Sequence, residues 1–370
     1  NPPFIQGEIF MKYLNALNKI SGLGPQKFKL LFNFFASPEK IWRAGSKELR
    51  AAKIGEVLIE KVLAERSAID PEAEWQRLEK ENIQMITLPD PSYPSLLKES
   101  VNPPYIIYMK GDASLLAETA PMLSIVGSRK YTSYGAQAAQ TLARDLANAG
   151  MIVVSGMALG IDTFAHRGAL NAGGKTIAVL GNSLDDANIY PRNNFNLSRD
   201  ILENGLLLSE YPLETSAGPL TFPARNRIIA GLSLGTVVVE AGEKSGALIT
   251  AEMALENNRD VFAVPGPIFS LQSIGTNNLI KKGAKIVTSV KDILEELNLG
   301  REENKAPLAA KIPTSKEEEI LLKILGSEPL HIDNISKISK LGTASAASTL
   351  SLMEIKGWAK NIGGQNYILL

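Results

Sequence analysis

Between residues 105 and 292 short apolar runs alternate with helical stretches, and no other feature restricts the possible folds as strongly. The runs are Leu123–Val126, Met151–Ser155, Thr176–Leu180, Leu206–Glu210, Thr236–Glu240, Val261–Val264 and Lys285–Val287. Seven buried-type strands separated by helices predict an α/β fold: a doubly wound, mostly parallel sheet covered on both faces. In such a sheet ligands sit outside the carboxyl ends of the strands, on the loops that follow them. Those loops are where function is to be read.

The flanking segments have a different character. Residues 8–70 read as short amphipathic helices, for example Ile9–Ile20 and Lys27–Phe35, with Ser37-Pro38 as a restart. The intervening Ser21-Gly22-Leu23-Gly24-Pro25 resembles the hairpin of a helix-hairpin-helix or SAM-like unit, and two readings stay open: a phosphate-approaching hairpin, or a plain tight turn between packed helices. Glu72–Glu81 reads as a charged helix and Leu88–Pro104 as an irregular connector. Residues 300–315 have linker character. Beyond them Glu317–Leu325, Ile332–Leu341 and Thr343–Ile355 are helical in pattern, and Trp358–Leu369 reads as two strands joined around Gly363-Gly364, an order that resembles a winged helix. The expected domains are 1–78 (helical), 79–298 (the sheet), 299–315 (linker) and 316–370 (winged-helix-like).

Composition then removes several classes of function. With 39 basic and 39 acidic residues the chain has no net charge, so any polyanion site must be a local concentration of cations. There is no cysteine and only two histidines, His166 and His331, which excludes disulfides and thiolate chemistry and leaves too few ligands for most metal centres. No apolar run approaches the roughly 20 residues of a membrane span. A cytoplasmic protein without metal or cofactor is expected, with no membrane partner.

Four predicted strands run directly into polar, glycine-containing turns. Gly127-Ser128-Arg129 follows the first and Ser155-Gly156-Met157-Ala158-Leu159-Gly160-Ile161-Asp162 the second. Gly181-Asn182-Ser183 follows the third, with Tyr190-Pro191-Arg192-Asn193-Asn194 beyond it. Glu240-Ala-Gly-Glu-Lys244-Ser245-Gly246 follows the fifth. Small residues admit a ligand to the backbone, and helix N-termini offer amides and partial positive charge to anions. The segment Phe222-Pro-Ala-Arg225-Asn226-Arg227 adds two guanidiniums, an amide and an aromatic ring. With Arg129, Arg192 and Lys244 these would make a basic crevice suited to a phosphate backbone, Phe222 offering a face to a base. Arg225 and Arg227 have a second reading, as internal partners of Glu240 or Glu210. Neither GxGxxG nor GxxxxGK[ST] is present, which disfavours dinucleotides and P-loop nucleotides. His166 has no neighbouring Ser or Cys nucleophile and reads as a hydrogen-bonded helix residue, while Asp162 reads either as a helix cap or as a base.

Six ordered motifs carry a resemblance to a known family. They are Ser124-Ile-Val-Gly-Ser-Arg129, Val154-Ser-Gly-Met-Ala-Leu-Gly-Ile-Asp162 with Ala165-His166, Thr176-Ile-Ala-Val-Leu-Gly181, Tyr190-Pro-Arg192, Phe222-Pro-Ala-Arg-Asn-Arg-Ile-Ile-Ala-Gly-Leu-Ser233 and Val261-Phe-Ala-Val-Pro-Gly266. Together they resemble the DNA-processing protein A (DprA/Smf) family over nearly the whole chain. The resemblance implies an extended Rossmann-like domain that binds single-stranded DNA, forms a homodimer and loads RecA onto incoming strands during natural transformation, with a single-strand-binding protein as a further possible partner. It implies that Arg129, Arg192, Arg225 and Arg227 hold phosphates, that Phe222 stacks a base, and that the Gly156–Gly160 turn supplies amides.

Two departures stand out. Many family members carry Lys where this chain has Arg192, a change that keeps the charge and adds a fork. The C-terminal domain has six lysines (316, 323, 337, 340, 356, 360) against six acids (Glu317, Glu318, Glu319, Glu328, Asp333, Glu354), and Thr343–Ile355 is mostly Ala, Ser, Thr and Leu. Base reading by that helix is not expected. The competing reading is an enzyme like the Rossmann-like nucleoside monophosphate phosphoribohydrolases, with Glu240 in play. Those enzymes resemble a PGGxGTxxE pattern that the stretch Glu240–Thr250 lacks.

Overall fold

The computed structural model describes residues 7–117, 120–299, 313, 315–326, 329–356, 358–361 and 364–369. Most of the expected linker at 299–315, and Gly363 of the final turn, lie outside them. The described residues form two compact units dividing between Gly300 and Arg301.

The first unit begins with helices α1 (Glu8–Asn18), α2 (Pro25–Phe34), α3 (Pro38–Arg43), α4 (Ser46–Ala51), α5 (Glu56–Glu65) and α6 (Pro71–Lys80). Capping explains several of the boundaries. Pro occupies the first turn of α2, α3 and α6, where its missing N–H costs nothing, and Ser37 and Asp70 cap α3 and α6 through their side chains. Gly22 supplies the positive φ of 94° that the α1–α2 turn needs.

The helices are not packed apart from the sheet. Leu14, Leu17, Phe28 and Leu31 share one buried cluster with Tyr108, Ala178 and Leu207. Phe28 and Phe32 stack on Tyr105 with centroids 5.5 and 4.9 Å apart, contacts worth about 0.5–1.5 kcal/mol each beyond burial. Helices α1–α6 and the sheet thus lie in one compact unit and share one of its buried clusters.

The sheet has nine strands: β1 (Gln84–Thr87), β2 (Ile106–Gly111), β3 (Met122–Val126), β4 (Ile152–Ser155), β5 (Thr176–Val179), β6 (Leu206–Ser209), β7 (Gly235–Val238), β8 (Asp260–Ala263) and β9 (Lys285–Ile286). Their order is β1-β2-β6-β5-β4-β3-β7-β8-β9. All seven expected strands are present and pair in parallel. The two missed strands, β1 and β2, form an antiparallel edge joined to β6. Strand-helix alternation carries no signal for them, because they are joined through the connector, which holds only the short helix α7 (Ser95–Lys98).

Helices α8 (Ser133–Asn148), α9 (Ile161–Asn171), α10 (Phe195–Asn204), α11 (Thr221–Leu232), α12 (Gly246–Glu256), α13 (Ile274–Lys281) and α14 (Val290–Glu296) complete the unit. Leu142, Leu146 and Ala165 of α8 and α9 pack on Leu123 and Ile125, whereas Ile228 of α11 and Ala251 of α12 pack with Met122 and Val126. Alternate residues of β3 thus serve the two faces. The chain leaves β3 toward β4 on one side and returns as β7 on the other, so the carboxyl ends of β3 and β7 form the switch point at which doubly wound sheets bind ligands.

The second unit contains α15 (Lys316–Ile324), α16 (Ile332–Ser339) and α17 (Thr343–Ile355), with a three-stranded antiparallel sheet ordered β10 (Leu330–His331), β12 (Asn366–Leu369), β11 (Ala359–Asn361). Leu321, Ile335, Leu350 and Met353 fill its core. This is the expected winged helix, with one extra short strand, β10.

Candidate nucleic-acid interface

Two adjoining hollows lie over the switch point. The larger, about 500 Å³, is walled by Gly127, Ser128, Arg129 and Lys130 after β3, by Phe222, Pro223 and Asn226 of α11, and by Lys244, Ser245 and Gly246 at the start of α12. The smaller, about 40 Å³, lies between Arg129, Gly156, Ala158, Leu159, Tyr190, Phe222 and Arg225. The Arg129 guanidinium sits 5.0 Å from the Phe222 ring centroid, and the Tyr190 ring is 5.7 Å from Phe222 on another side. A half-buried aromatic ring is thus set beside a cation in the lining of both hollows.

Three cations face the larger hollow: Arg129, Lys130 and Lys244, all exposed and none ion-paired among the described residues. Ser245 caps α12 by accepting from the Ala247 amide, and the first turn of α12 carries no acid. The partial positive charge of that helix end therefore adds to the three cations.

Gly160 explains how Arg129 is placed. Its φ is 91°, and a Cβ there would press on the Ser128 carbonyl and lie 2.9 Å from the Arg129 Cα. Only glycine lets the two turns approach so closely. Gly127 serves a similar end, since a side chain would lie 2.6 Å from Ile161.

Several expected ligand residues support the walls instead. Arg225 is buried at 4% exposure and donates from Nη1 to the carbonyls of Gly156, at 2.6 Å, and Val179. A side chain on Gly156 would occupy the space of that guanidinium. The amides of Gly156 and Ala158 do not face a ligand either: the buried Asp162 carboxylate accepts from them at 3.1 and 3.4 Å. Asp162 therefore ties down the turn that precedes α9 rather than capping the helix, and is not placed as a base. Burial drives Asp162 upward in pKa and Arg225 downward, to about 10, while their mutual attraction opposes both shifts.

Asn194 is likewise buried, its Nδ2 donating to the Met157 carbonyl and Thr163 Oγ1 at 2.8 Å each. Ser155 is fully buried and donates to the Ile125 carbonyl at 2.6 Å. His166 is fully buried, hydrogen-bonded through Nδ1 to Thr176 Oγ1 at 2.8 Å, and burial lowers its pKa to about 3, so the ring is neutral.

Two expected phosphate contacts lie away from the hollows. Arg227 points from the opposite side of α11, where it pairs with Glu210 at 2.5 Å and donates to the Asn102 carbonyl at 3.0 Å, beside a separate groove of about 600 Å³ under the α1–α2 turn. One residue of helix rotates a side chain by about 100°, so residues 225 and 227 cannot share a face. Arg192 is exposed but lies outside both linings, stacked 4.9 Å from the Phe195 ring and donating to the Asp186 carbonyl at 2.6 Å. The other expected residues, Gly127, Ser128, Ala158, Phe222, Asn226, Lys244, Ser245 and Gly246, line the larger hollow.

Lining residues beyond those expected include Lys130 and Gln272. Lys130 follows Arg129 directly and was legible from the same loop. Gln272 was not: it reaches the site from 144 positions away and accepts from Ser128 Oγ at 2.9 Å. Glu240, the residue on which an enzymatic reading depends, is 2% exposed and accepts from the Thr132 amide and hydroxyl at 2.9 and 2.5 Å. It anchors the start of α8 and lines neither hollow.

Residues 84–298 match the family model for DNA recombination-mediator protein A, and residues 305–365 match the DprA winged helix domain. The chain is 35% identical to Protein Smf of Synechocystis, over 96% of this chain and 98% of that protein. It is 43% identical to DNA processing protein DprA of Bacillus subtilis, over 59% of this chain and 72% of that one. The X-ray structure of DNA processing protein A from Streptococcus pneumoniae superposes with a TM-score of 0.67 at 36% identity, over 77% of this chain and 97% of that one. A structure of the same protein from Helicobacter pylori, solved for its single-stranded DNA binding mode, gives 0.52 at 35%, over 58% and 96%.

Proposed function

This chain belongs to the DNA recombination-mediator protein A (DprA/Smf) family, and on that premise we propose that it binds single-stranded DNA in the cleft over β3 and β7 and loads a RecA recombinase onto it. One observation carries the reading: Arg129, Lys130 and Lys244, unpaired with any carboxylate among the described residues, line one hollow together with the half-buried ring of Phe222. Cations that track a backbone, next to an aromatic ring that any base can stack on, are what sequence-tolerant single-strand binding requires. The H. pylori relative, whose structure was solved for that binding mode, supports the same class.

Within this reading the ligand contacts are Gly127, Ser128, Arg129, Lys130, Ala158, Phe222, Asn226, Lys244, Ser245 and Gly246. Ser155, Gly156, Gly160, Asn194 and Arg225 hold the walls. Arg192 extends the path at its rim. On this reading the protein acts without chemistry: Glu240, the carboxylate on which the enzymatic reading depends, is buried and held by the Thr132 amide and hydroxyl. We place it in the cytoplasm as a homodimer formed through the sheet domain, acting on strands taken up in natural transformation. Among the described residues no helix is long and apolar enough to cross a membrane.

The test is titration of labelled oligonucleotide at several salt concentrations. Single strands give a slope of about 0.7 per neutralised phosphate, so replacing all three cations by Ala flattens log affinity against log salt by about 2. An unchanged slope places the DNA elsewhere. RecA loading is tested separately, by strand exchange on DNA precoated with a single-strand-binding protein. No stimulation removes the mediator role and leaves the binding role. Release of free base from a nucleoside monophosphate, lost in Glu240→Gln, would restore the enzymatic reading.

A further inference from the structure

We propose that the loop between β8 and α13, through Ile268, Phe269 and Leu271, is a second base-stacking platform that lengthens the single-strand path beyond the cleft. The inference rests on the single-strand reading and deepens it.

The loop presents its apolar side chains to solvent. Phe269 is 93% exposed, Ile268 79% and Leu271 73%. A cluster of large exposed apolar side chains marks a binding surface when the backbone beneath it is held in place. Here it is held at several points. Asn277 brackets Gly266, accepting from its amide at 3.3 Å and donating to its carbonyl at 3.1 Å, and the Tyr134 hydroxyl donates to the Pro265 carbonyl at 2.8 Å. The Ser270 amide donates to Pro267, and that of Ser273 to Ser270. Gly266 is required because a Cβ would lie 2.8 Å from that of Ser273. The loop is thus a preformed tip with little ordering left to lose on binding.

Its base is joined to the cleft wall. The Ala241 amide donates to the Gln272 carbonyl and the Gly275 amide to the Ala241 carbonyl, both at 2.8 Å, while Gln272 Oε1 accepts from Ser128. A strand with its phosphates on Lys130 and Lys244 therefore runs onto this loop as it leaves the Gly242–Gly246 wall.

Charge and area favour a nucleic-acid occupant. From Val261 to Ile280 there is no charged residue. The tip thus offers faces to bases without repelling the phosphates held by the adjoining cations. A second copy of the chain is the weaker fit, because three side chains fall well short of the roughly 800 Å² per partner of a stable interface.

The test uses the full chain with Phe269→Ala, Phe269→Trp and the triple replacement of Arg129, Lys130 and Lys244 by Ala. Binding is measured to oligonucleotides of increasing length, and particle mass by light scattering. Loss of one stacked base corresponds to about ten-fold or more in affinity. The expected result is that Phe269→Ala binds the shortest oligonucleotides normally, weakens binding of longer ones by about that factor with the salt slope unchanged, and that Phe269→Trp restores it. Equal affinity of Phe269→Ala at every length, with the triple variant still impaired, overturns this inference and leaves the cleft reading standing. A fall in particle mass with Phe269→Ala overturns it in favour of self-association. Normal binding by the triple variant removes the cleft reading, and this inference falls with it.

Discussion

Arg225 is the residue at which structure and motif disagree most usefully, and Arg225→Met separates the two. The motif makes it a phosphate ligand, whereas the structure makes it a buried strut that donates to the Gly156 and Val179 carbonyls and neutralises Asp162. Methionine keeps the apolar stem and removes the fork. It leaves two buried carbonyls short of a donor and one buried carboxylate short of a countercharge, which costs about 3–5 kcal/mol. For a unit of this size each kcal/mol moves the melting temperature by about 2 °C, so a fall of about 6–10 °C is expected.

Arg129→Ala is the control, because Arg129 is exposed and unpaired. Its stability should change by no more than about 0.5 kcal/mol while its DNA affinity falls. The assay is thermal melting followed by Trp42 and Trp75 fluorescence, alongside DNA titration well below the melting range. If Arg225→Met melts with the wild type and loses affinity as Arg129→Ala does, the strut argument is refuted and Arg225 contacts the strand directly.

Three further outcomes follow from the same geometry. Arg227→Ala should cost about 1–3 kcal/mol by leaving Glu210 unpaired, yet keep the salt slope of DNA binding, and a flattened slope would return Arg227 to the site. Gly160→Ala, at a φ of 91° and against the Ser128–Arg129 backbone, should lose about 1–3 kcal/mol and weaken DNA binding by displacing Arg129, as melting and titration would register. For His166 the folded pKa of about 3 lies below the unfolded value of about 6.5, so the stability it confers is complete above pH 6.5 and is lost as pH falls toward 3. The wild type should therefore destabilise by about 1.4 kcal/mol per pH unit more steeply than His166→Gln between about pH 6 and pH 4, and parallel urea-melting profiles would contradict the assignment.

The sequence by itself determined the sheet, because strands covered on both faces must be continuously apolar and the helices between them amphipathic. That pattern located all seven parallel strands, the turns that follow them and the winged helix. It also marked Phe222, Arg129 and Lys244 for one edge of the sheet, since loops after parallel strands necessarily gather there, and the three line one hollow. It could not find β1 and β2, an antiparallel edge whose pairing depends on a connector and on β6, a hundred residues away in the chain. Nor could it say which polar groups remain available to a ligand. Arg225, Asp162, Asn194 and the Gly156 and Ala158 amides all belong to the right motifs, but they satisfy one another inside the fold. Arg227 turns to Glu210 because a helix puts residues two apart on different sides. A buried charge or amide must find a partner, and only the tertiary structure decides whether that partner is another residue of the chain or the strand it binds.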